Sequence, residues 1–237
     1  MSDKPSKVSP SVDGRALVRF LVFALLSPAV LFLAAGTFKW AWGWAYYATV
    51  ALSTIVGRGL VLRRHPELLA ERAAYRTKED AKEWDQILVR IVALYGPLIS
   101  WLVAGLDHRW GWSPEIASTA RWVSWIVVLL GTALANWALV ANRFFAAVVR
   151  IQSDRDHQVV SDGPYRFVRH PGYAGGLYTW LAMPLMLGSP WAYLPSLLTA
   201  CALVVRTALE DRTLIDELPG YAEYARHTRY RLLPGVW

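Results

Sequence analysis

The sequence predicts an all-α fold: a polytopic membrane helix bundle of about six transmembrane helices, with a tight C-terminal helical hairpin and cytoplasmic amphipathic helices. Three observations predict it. Of the 237 residues, 55% are apolar and 13 are Trp, a composition too apolar for an ordinary soluble domain of this length. Several runs of 18 or more residues carry few charges, as membrane helices do. The basic residues are unevenly spread. With the N-terminus inside, the outer connections hold only Lys39, Arg109 and the edge residue Arg121 of the 25 Lys and Arg, in keeping with the positive-inside rule.

Each element follows in order. Residues 1–15 form a flexible, polar, Ser/Pro-rich N-terminus. Lys4, Lys7 and Arg15 before an apolar run ending Ala34-Ala35-Gly36 mimic a signal peptide, but the run is longer than a usual signal core and further spans follow. Four N-terminal spans then fill 16–142, at about 16–36, 40–62, 87–106 and 121–142. A charged, helix-prone connection at 63–86 separates the second from the third. Pro66 opens an amphipathic helix there, as Pro does at a first helical position. Residues 143–171 form a long basic loop. The apolar stretch at about 172–205 is too long for one span. Pro184 and Gly188-Ser189-Pro190 break it into a fifth and a sixth helix joined by a tight turn. From about 207 the chain is charged and amphipathic. Trp40, Trp42, Trp44, Trp110, Trp112, Trp122, Trp125 and Trp191 all fall at the outer ends of spans and read as an interfacial belt. Asn136 inside the fourth span reads as interhelical glue.

Composition also excludes classes of function. The net charge of +7 belongs to a basic inner face rather than to nucleic-acid binding. The single cysteine, Cys201, permits no intrachain disulfide, and no His, Asp, Glu or Cys spacing suggests a metal. There is no nucleophile elbow or phosphate loop. A transporter would carry charges deep in several spans and internal repeats, and little of either is present; a non-catalytic membrane scaffold or transporter stays the alternative from another class.

Two segments can carry chemistry. In SDGPYRFVRHPGYAGG (161–176), Gly163-Pro164-Tyr165 signals a turn. Pro171 can start a helix whose free N–H groups and positive dipole end could hold an anion. Gly172, Gly175 and Gly176 leave one face bare, either for close helix packing or for a flat ligand. The tripeptide Arg169-His170-Pro171 alone is a weak signal, because Arg64-His65-Pro66 repeats it. The second segment is on the sixth helix. Arg206 and Glu210 are four residues apart and so share a face. They are either an ion pair at the membrane edge or, as ionisable groups at membrane depth, markers of a substrate path. Asp211 and Arg212 point elsewhere and read as solvent-exposed or paired. Gln152, His157 and Gln158 add donors and acceptors after the fourth span.

GPYRFVRHPGYAGG, the hairpin after it, RTALEDRTL and YAEYARHTRYRLLPGVW together resemble the isoprenylcysteine carboxyl methyltransferase family, related to phospholipid and small-thiol methyltransferases. The paired motif reads Arg169-His170-Pro171-Gly172-Tyr173-Ala174-Gly175 and Glu210-Asp211-Arg212-Thr213-Leu214, with Asp211 where the family has a second Glu. The resemblance is strong over about 150–237 and implies that 143–237 is a cofactor-binding methyltransferase core. It implies S-adenosylmethionine as cofactor, held by Gln152, His157, Val160, Tyr165, His170, Pro171, Tyr173 and Glu210. Arg206 falls on the substrate side, as the catalytic residue. The implied partners are the lipid bilayer and a lipophilic small-molecule or prenylated acceptor, with the termini and active site on the cytoplasmic side. Chemistry agrees. Tyr165 and Tyr173 can stack on adenine or meet a sulfonium, and Glu210 can pair with the amine or ribose. Arg206 can offer a bidentate fork to a carboxylate, which needs no general base because it is already ionised at neutral pH. A thiol or lipid amine acceptor would need one.

Overall fold

The computed structural model describes residues 14–74 and 80–237. The flexible start expected at 1–15 lies outside the described residues except for its last two positions, which already belong to a helix. Among the described residues there is no strand. Helix α1 spans Gly14–Ala35, α2 Ala41–Arg64 and α3 Pro66–Ala73. Helix α4 spans Glu83–Arg90 and runs through a π turn, Ile91–Tyr95, into α5, Gly96–Trp110. Helix α6 spans Ser118–Ala141, α7 Pro171–Leu187, α8 Tyr193–Glu217 and α9 Tyr221–His227. Helices therefore fill all six expected regions. Four stretches are long and apolar enough to cross a membrane: Ala41–Arg64, Glu83–Trp110, Ser118–Ala141 and Pro190–Glu217. This is a multi-pass membrane protein.

The π turn has an identifiable cause. Pro97 has no N–H to offer the Ala93 carbonyl, and its ring crowds that turn. The hairpin breaks at one place rather than two. Pro184 lies inside α7 without ending it; the helix stops at Gly188, whose φ of 74° is the left-handed cap, a conformation that glycine adopts at no steric cost. Helix α8 also continues ten residues beyond 207, so the charged C-terminal piece starts as the last turns of a membrane helix.

Packing orders the bundle. Helices α6 and α7 make the most extensive contact, α1 lies on α5, α2 on α6, and α8 on both α5 and α7. At one end of the bundle Leu31, Phe32, Trp101, Val128, Met183 and Met186 form one apolar core. Not every tryptophan is an anchor there. Trp44, Trp110, Trp112, Trp122 and Trp191 are exposed, whereas Trp40 is buried and stacks on His108 with 4.2 Å between ring centroids. Asn136 donates to Ser53 Oγ at 2.6 Å and to the Ser53 carbonyl at 2.8 Å, joining α6 to α2 as expected.

The bare face of α7 is a packing face. A Cβ on Gly175 would lie 2.3 Å from the Gly131 carbonyl oxygen of α6, and one on Gly131 would lie 2.7 Å from the Gly175 carbonyl. A Cβ on Gly172 would meet the Phe145 ring at 2.6 Å, and Gly176 looks toward Leu203. Neighbouring backbone and side chains fill the room that a flat ligand would need. Gly175→Val is therefore expected to destabilise the protein by about 1–3 kcal/mol through overpacking, read as a lower melting temperature in detergent. An unchanged melting temperature would show that α6 and α7 do not meet there.

Candidate active site

The site lies at the end of the bundle where α6 stops, α7 begins and α8 runs on toward α9. A small cavity of about 70 Å³ opens there. Its walls come from three stretches: the loop from Asn142 to Val160, the turn and helix start from Tyr165 to Tyr173, and α8–α9 from Glu210 to Tyr224. Gln152, His157, Val160, Tyr165, His170, Tyr173 and Glu210, all implied by the family resemblance, line this one cavity. Pro171 and Arg206 do not. Pro171 is buried as the first residue of α7, and Arg206 lies behind Tyr173.

The carboxylate of Glu210 accepts a hydrogen bond from the Tyr173 hydroxyl at 2.5 Å. The Tyr173 ring is parallel to that of His170, with 5.7 Å between centroids and 5° between planes. On the far side, the Arg206 guanidinium carbon lies 5.2 Å from the Tyr173 ring centroid. Tyr173 is thus a partition, with the cavity on one side and the arginine on the other. Tyr165 is fixed at both ends: its hydroxyl meets the Asn142 amide at 3.2 Å, and its carbonyl accepts from the Tyr224 hydroxyl at 2.7 Å.

Arg206 and Glu210 share a face of α8 but do not pair with each other. Arg206 Nε and Nη2 donate to the two carboxylate oxygens of Asp85 on α4, at 2.6 and 3.0 Å, and Nη2 also donates to the Ala147 carbonyl at 3.0 Å. The fork expected to be open for a substrate carboxylate is therefore already occupied. Of the guanidinium nitrogens, only Nη1 has no partner among the described residues.

Asp211 is not exposed. It has no solvent-accessible surface and is the most heavily bonded carboxylate of the site. Arg169 grips it with Nε and Nη2, both at 2.8 Å, and Arg231 Nε donates at 2.7 Å. The Tyr221 hydroxyl donates at 3.0 Å, and His170 Nε2 lies 3.2 Å away. The free N–H groups expected at the start of α7 are largely used by the chain itself. The His170 N–H donates to the Arg231 carbonyl at 2.9 Å, Tyr173 and Ala174 donate to the His170 carbonyl at 3.0 Å, and Pro171 has none. The helix start is thus closed by the C-terminal segment rather than left open for an anion.

The loop wall is clamped from outside by the 63–86 connection. Arg72 Nη1 donates to the Phe145 and Ala146 carbonyls at 2.9 and 3.1 Å, and burial pulls its guanidinium down to about 10. Arg150 Nε binds Glu71 at 2.9 Å, and its Nη1 binds Asp80 at 2.6 Å and Asp154 at 2.9 Å. The Val149 N–H donates to Asp85 at 2.7 Å. Periodicity does not reveal these residues, since each works through a partner 60 or more positions away. Tyr221 and Tyr224 also line the cavity and are not among the residues the sequence points to; the signal that marks them is their spacing of three on α9, which puts them on one face.

Gln152 is almost wholly buried. Its amide donates to the Phe144 carbonyl at 2.6 Å, and its oxygen accepts from Arg155 at 2.5 Å. The Gln152 N–H donates to His157 Nδ1 at 3.3 Å. His157 is therefore neutral with its proton on Nε2. Burial, helped by Arg150 and Arg155, pulls its pKa down to about 4. Among the described residues His157 Nε2–H has no partner, so it remains a donor for a ligand.

With this geometry established, comparison with known proteins places the chain. The family model of isoprenylcysteine carboxyl methyltransferase (ICMT) matches residues 123–216. That segment, less than half of the chain, resembles the ICMT family. It contains α7, α8 and most of the cavity wall, but not Asp85, Arg72 or the C-terminal tail. A probable protein-S-isoprenylcysteine O-methyltransferase of Oryza sativa subsp. indica is 36% identical over 70 residues, 29% of this chain and 37% of that protein. The cobalt-zinc-cadmium resistance protein CzcN of Cupriavidus metallidurans is 36% identical over 111 residues, 45% of this chain and 49% of that protein. The chain thus matches about half or less of the length of these relatives. A solved structure of the eukaryotic intramembrane Ras methyltransferase ICMT aligns over 91% of this chain and 85% of that one, with 16% identity and a TM-score of 0.47. Among the described residues, no group of three or more His, Cys, Asp or Glu side chains could hold a metal ion.

His157 provides a pH test. Its folded pKa is below the ordinary value of 6.5, so between about pH 6.5 and 4 the unfolded chain binds a proton that the folded protein does not, and stability falls as the medium is acidified. His157→Gln is expected to flatten the slope of melting temperature against pH in that window. An identical slope in wild type and variant would mean that His157 titrates normally.

Proposed function

We propose that the chain is an integral-membrane methyltransferase that uses S-adenosylmethionine to methylate a lipophilic acceptor, the carboxylate of a prenylated cysteine or a similar amphiphile. The observation that carries this reading is the convergence of Gln152, His157, Val160, Tyr165, His170, Tyr173 and Glu210 on one cavity in the ICMT-family segment. In this reading 143–237 is the methyltransferase core, and the positive-inside distribution puts the site and both termini on the cytoplasmic side.

The residues suit the cofactor's chemistry. S-adenosylmethionine brings a methyl group on a sulfonium cation, activated for in-line displacement. Glu210 would hold the ammonium or a ribose hydroxyl with the carboxylate oxygen that Tyr173 leaves free. The rings of Tyr165 and Tyr173 offer π faces to adenine or to the cation. His157 Nε2–H is a donor for an acceptor atom such as a carboxylate or a ring nitrogen. Arg206 would then orient the acceptor carboxylate, and orientation supplies much of the rate of such a transfer. A carboxylate acceptor arrives ionised, so the C–O bond forms as the C–S bond breaks and no proton moves. His157, protonated on Nε2 and hydrogen-bonded at Nδ1, is not free to act as a base. This favours a carboxylate over a thiol or an amine.

Purified protein in detergent is expected to bind S-adenosylmethionine, with Glu210→Gln weakening it about tenfold, the loss of one charge-assisted hydrogen bond. Unchanged calorimetric affinity in this variant and in His170→Ala would overturn the site assignment. Radiolabelled methyl transfer to an S-prenylated N-acylcysteine, a thiol and phosphatidylethanolamine identifies the acceptor. A base-labile product marks the carboxyl ester, and a base-stable one would replace this reading with S- or N-methylation.

A further inference from the structure

We propose that Asp85 is a positioning residue for methyl transfer: from outside the ICMT-family segment it fixes the orientation of Arg206, so that a single edge, Nη1, is left to meet the acceptor. This rests on the methyltransferase reading above and extends it to the N-terminal half of the chain.

Asp85 is fully buried on α4, and the Arg206 side chain is only 6% exposed. Each would be a costly isolated charge without the other. The contact is bidentate, the geometry in which a guanidinium plane is held most firmly. Three sides of that plane are taken. Asp85 occupies the Nε–Nη2 edge, the Ala147 carbonyl takes the second hydrogen of Nη2, and the Tyr173 ring covers one face. Asp85 also accepts the Val149 N–H, and Val149 lines the cavity. One carboxylate therefore fixes both the acceptor-side arginine and a wall residue of the cofactor cavity. An acceptor carboxylate displacing Asp85 would leave that aspartate buried and unpaired, so the acceptor meets Nη1 and the ion pair persists through the reaction.

The test uses the full-length protein in detergent, S-adenosylmethionine, and an S-prenylated N-acylcysteine as acceptor. Asp85→Asn removes the charge and keeps the shape; Asp85→Glu keeps the charge. Turnover is normalised to the cofactor-bound fraction, so that unfolded protein does not count. Asp85→Asn is expected to lower kcat roughly ten- to a hundredfold, the cost of a misplaced reacting group, with cofactor affinity within about twofold. Asp85→Glu is expected to recover part of that kcat. Equal kcat in wild type and Asp85→Asn, or equal losses in the Asn and Glu variants, overturns the positioning role. Melting temperatures of Asp85→Asn, Arg206→Gln and the double variant test the pair without activity. The double variant should melt higher than the two separate losses would sum to, and strict additivity would show that the ion pair does not form. If the wild type binds cofactor but methylates no acceptor of the panel, the function reading falls and the positioning role with it. The melting cycle still reports on the pair.

Discussion

The cavity end of the bundle depends on the buried carboxylate of Asp211. A lone carboxylate inside a membrane helix bundle is strongly disfavoured, and here the surroundings resolve that by bringing two guanidinium groups, a tyrosine hydroxyl and an imidazole to it. Those four partners come from the start of α7, from α9 and from the C-terminal segment. Satisfying one charge thus ties the start of α7, about forty positions away, to α8, α9 and the C-terminal segment. Arg169 extends the gathering, since its Nη1 reaches the carbonyls of Ala225, Thr228 and Arg229. His170 and Tyr221 are the wall residues that this arrangement delivers to the cavity.

A second buried pair does the same work on the opposite side. Asp85 and Arg206 join the charged connection after α2 to α8, and Arg72 and Arg150 clamp the loop between them. The cavity is therefore suspended between two ionic anchors. Its own lining is mainly aromatic and aliphatic, with Glu210 as the carboxylate that faces into it. This division fits the physics. Anchors that satisfy one another are rigid, leaving the free oxygen of Glu210, His157 Nε2–H and Arg206 Nη1 as the groups able to respond to a ligand.

The helices were legible in the sequence because a membrane helix announces itself by length and hydropathy, and the glycines of α7 by their spacing. The residues of the cavity wall were legible through the motif pair around His170 and Glu210. The role of the glycine face was not: Gly172 and Gly175 look the same whether a ring or a helix lies against them, and only the positions of Phe145 and Gly131 decide. The partners of Arg206 and Asp211 were hidden for a related reason. An i, i+4 spacing shows that Arg206 and Glu210 can meet, but not that Asp85, 121 positions away, wins the competition. Nor does a charged tail reveal that Arg231 folds back under α8.

The π turn at Ile91–Tyr95 acquires a meaning from this. Such a turn is an α-helix carrying one surplus residue, and one residue is worth about 100° of rotation about the axis. Past the turn, Gly96 is pressed against Thr199 of α8, where a Cβ would come within 2.1 Å of the hydroxyl oxygen; before it, Asp85 faces Arg206 of the same helix. Eleven residues of regular α-helix turn through about 1,100°, three turns and about 20°, so the surplus residue sets the two contacts about 80° apart around the axis. The length of this segment is thus as much a determinant of the site as any side chain. Because the π turn absorbs one surplus residue, losing a single residue there would restore a regular helix with Asp85 and Gly96 in the same phase, whereas losing two would swing the aspartate off its arginine by about 100° while leaving every amino acid of the cavity wall in place.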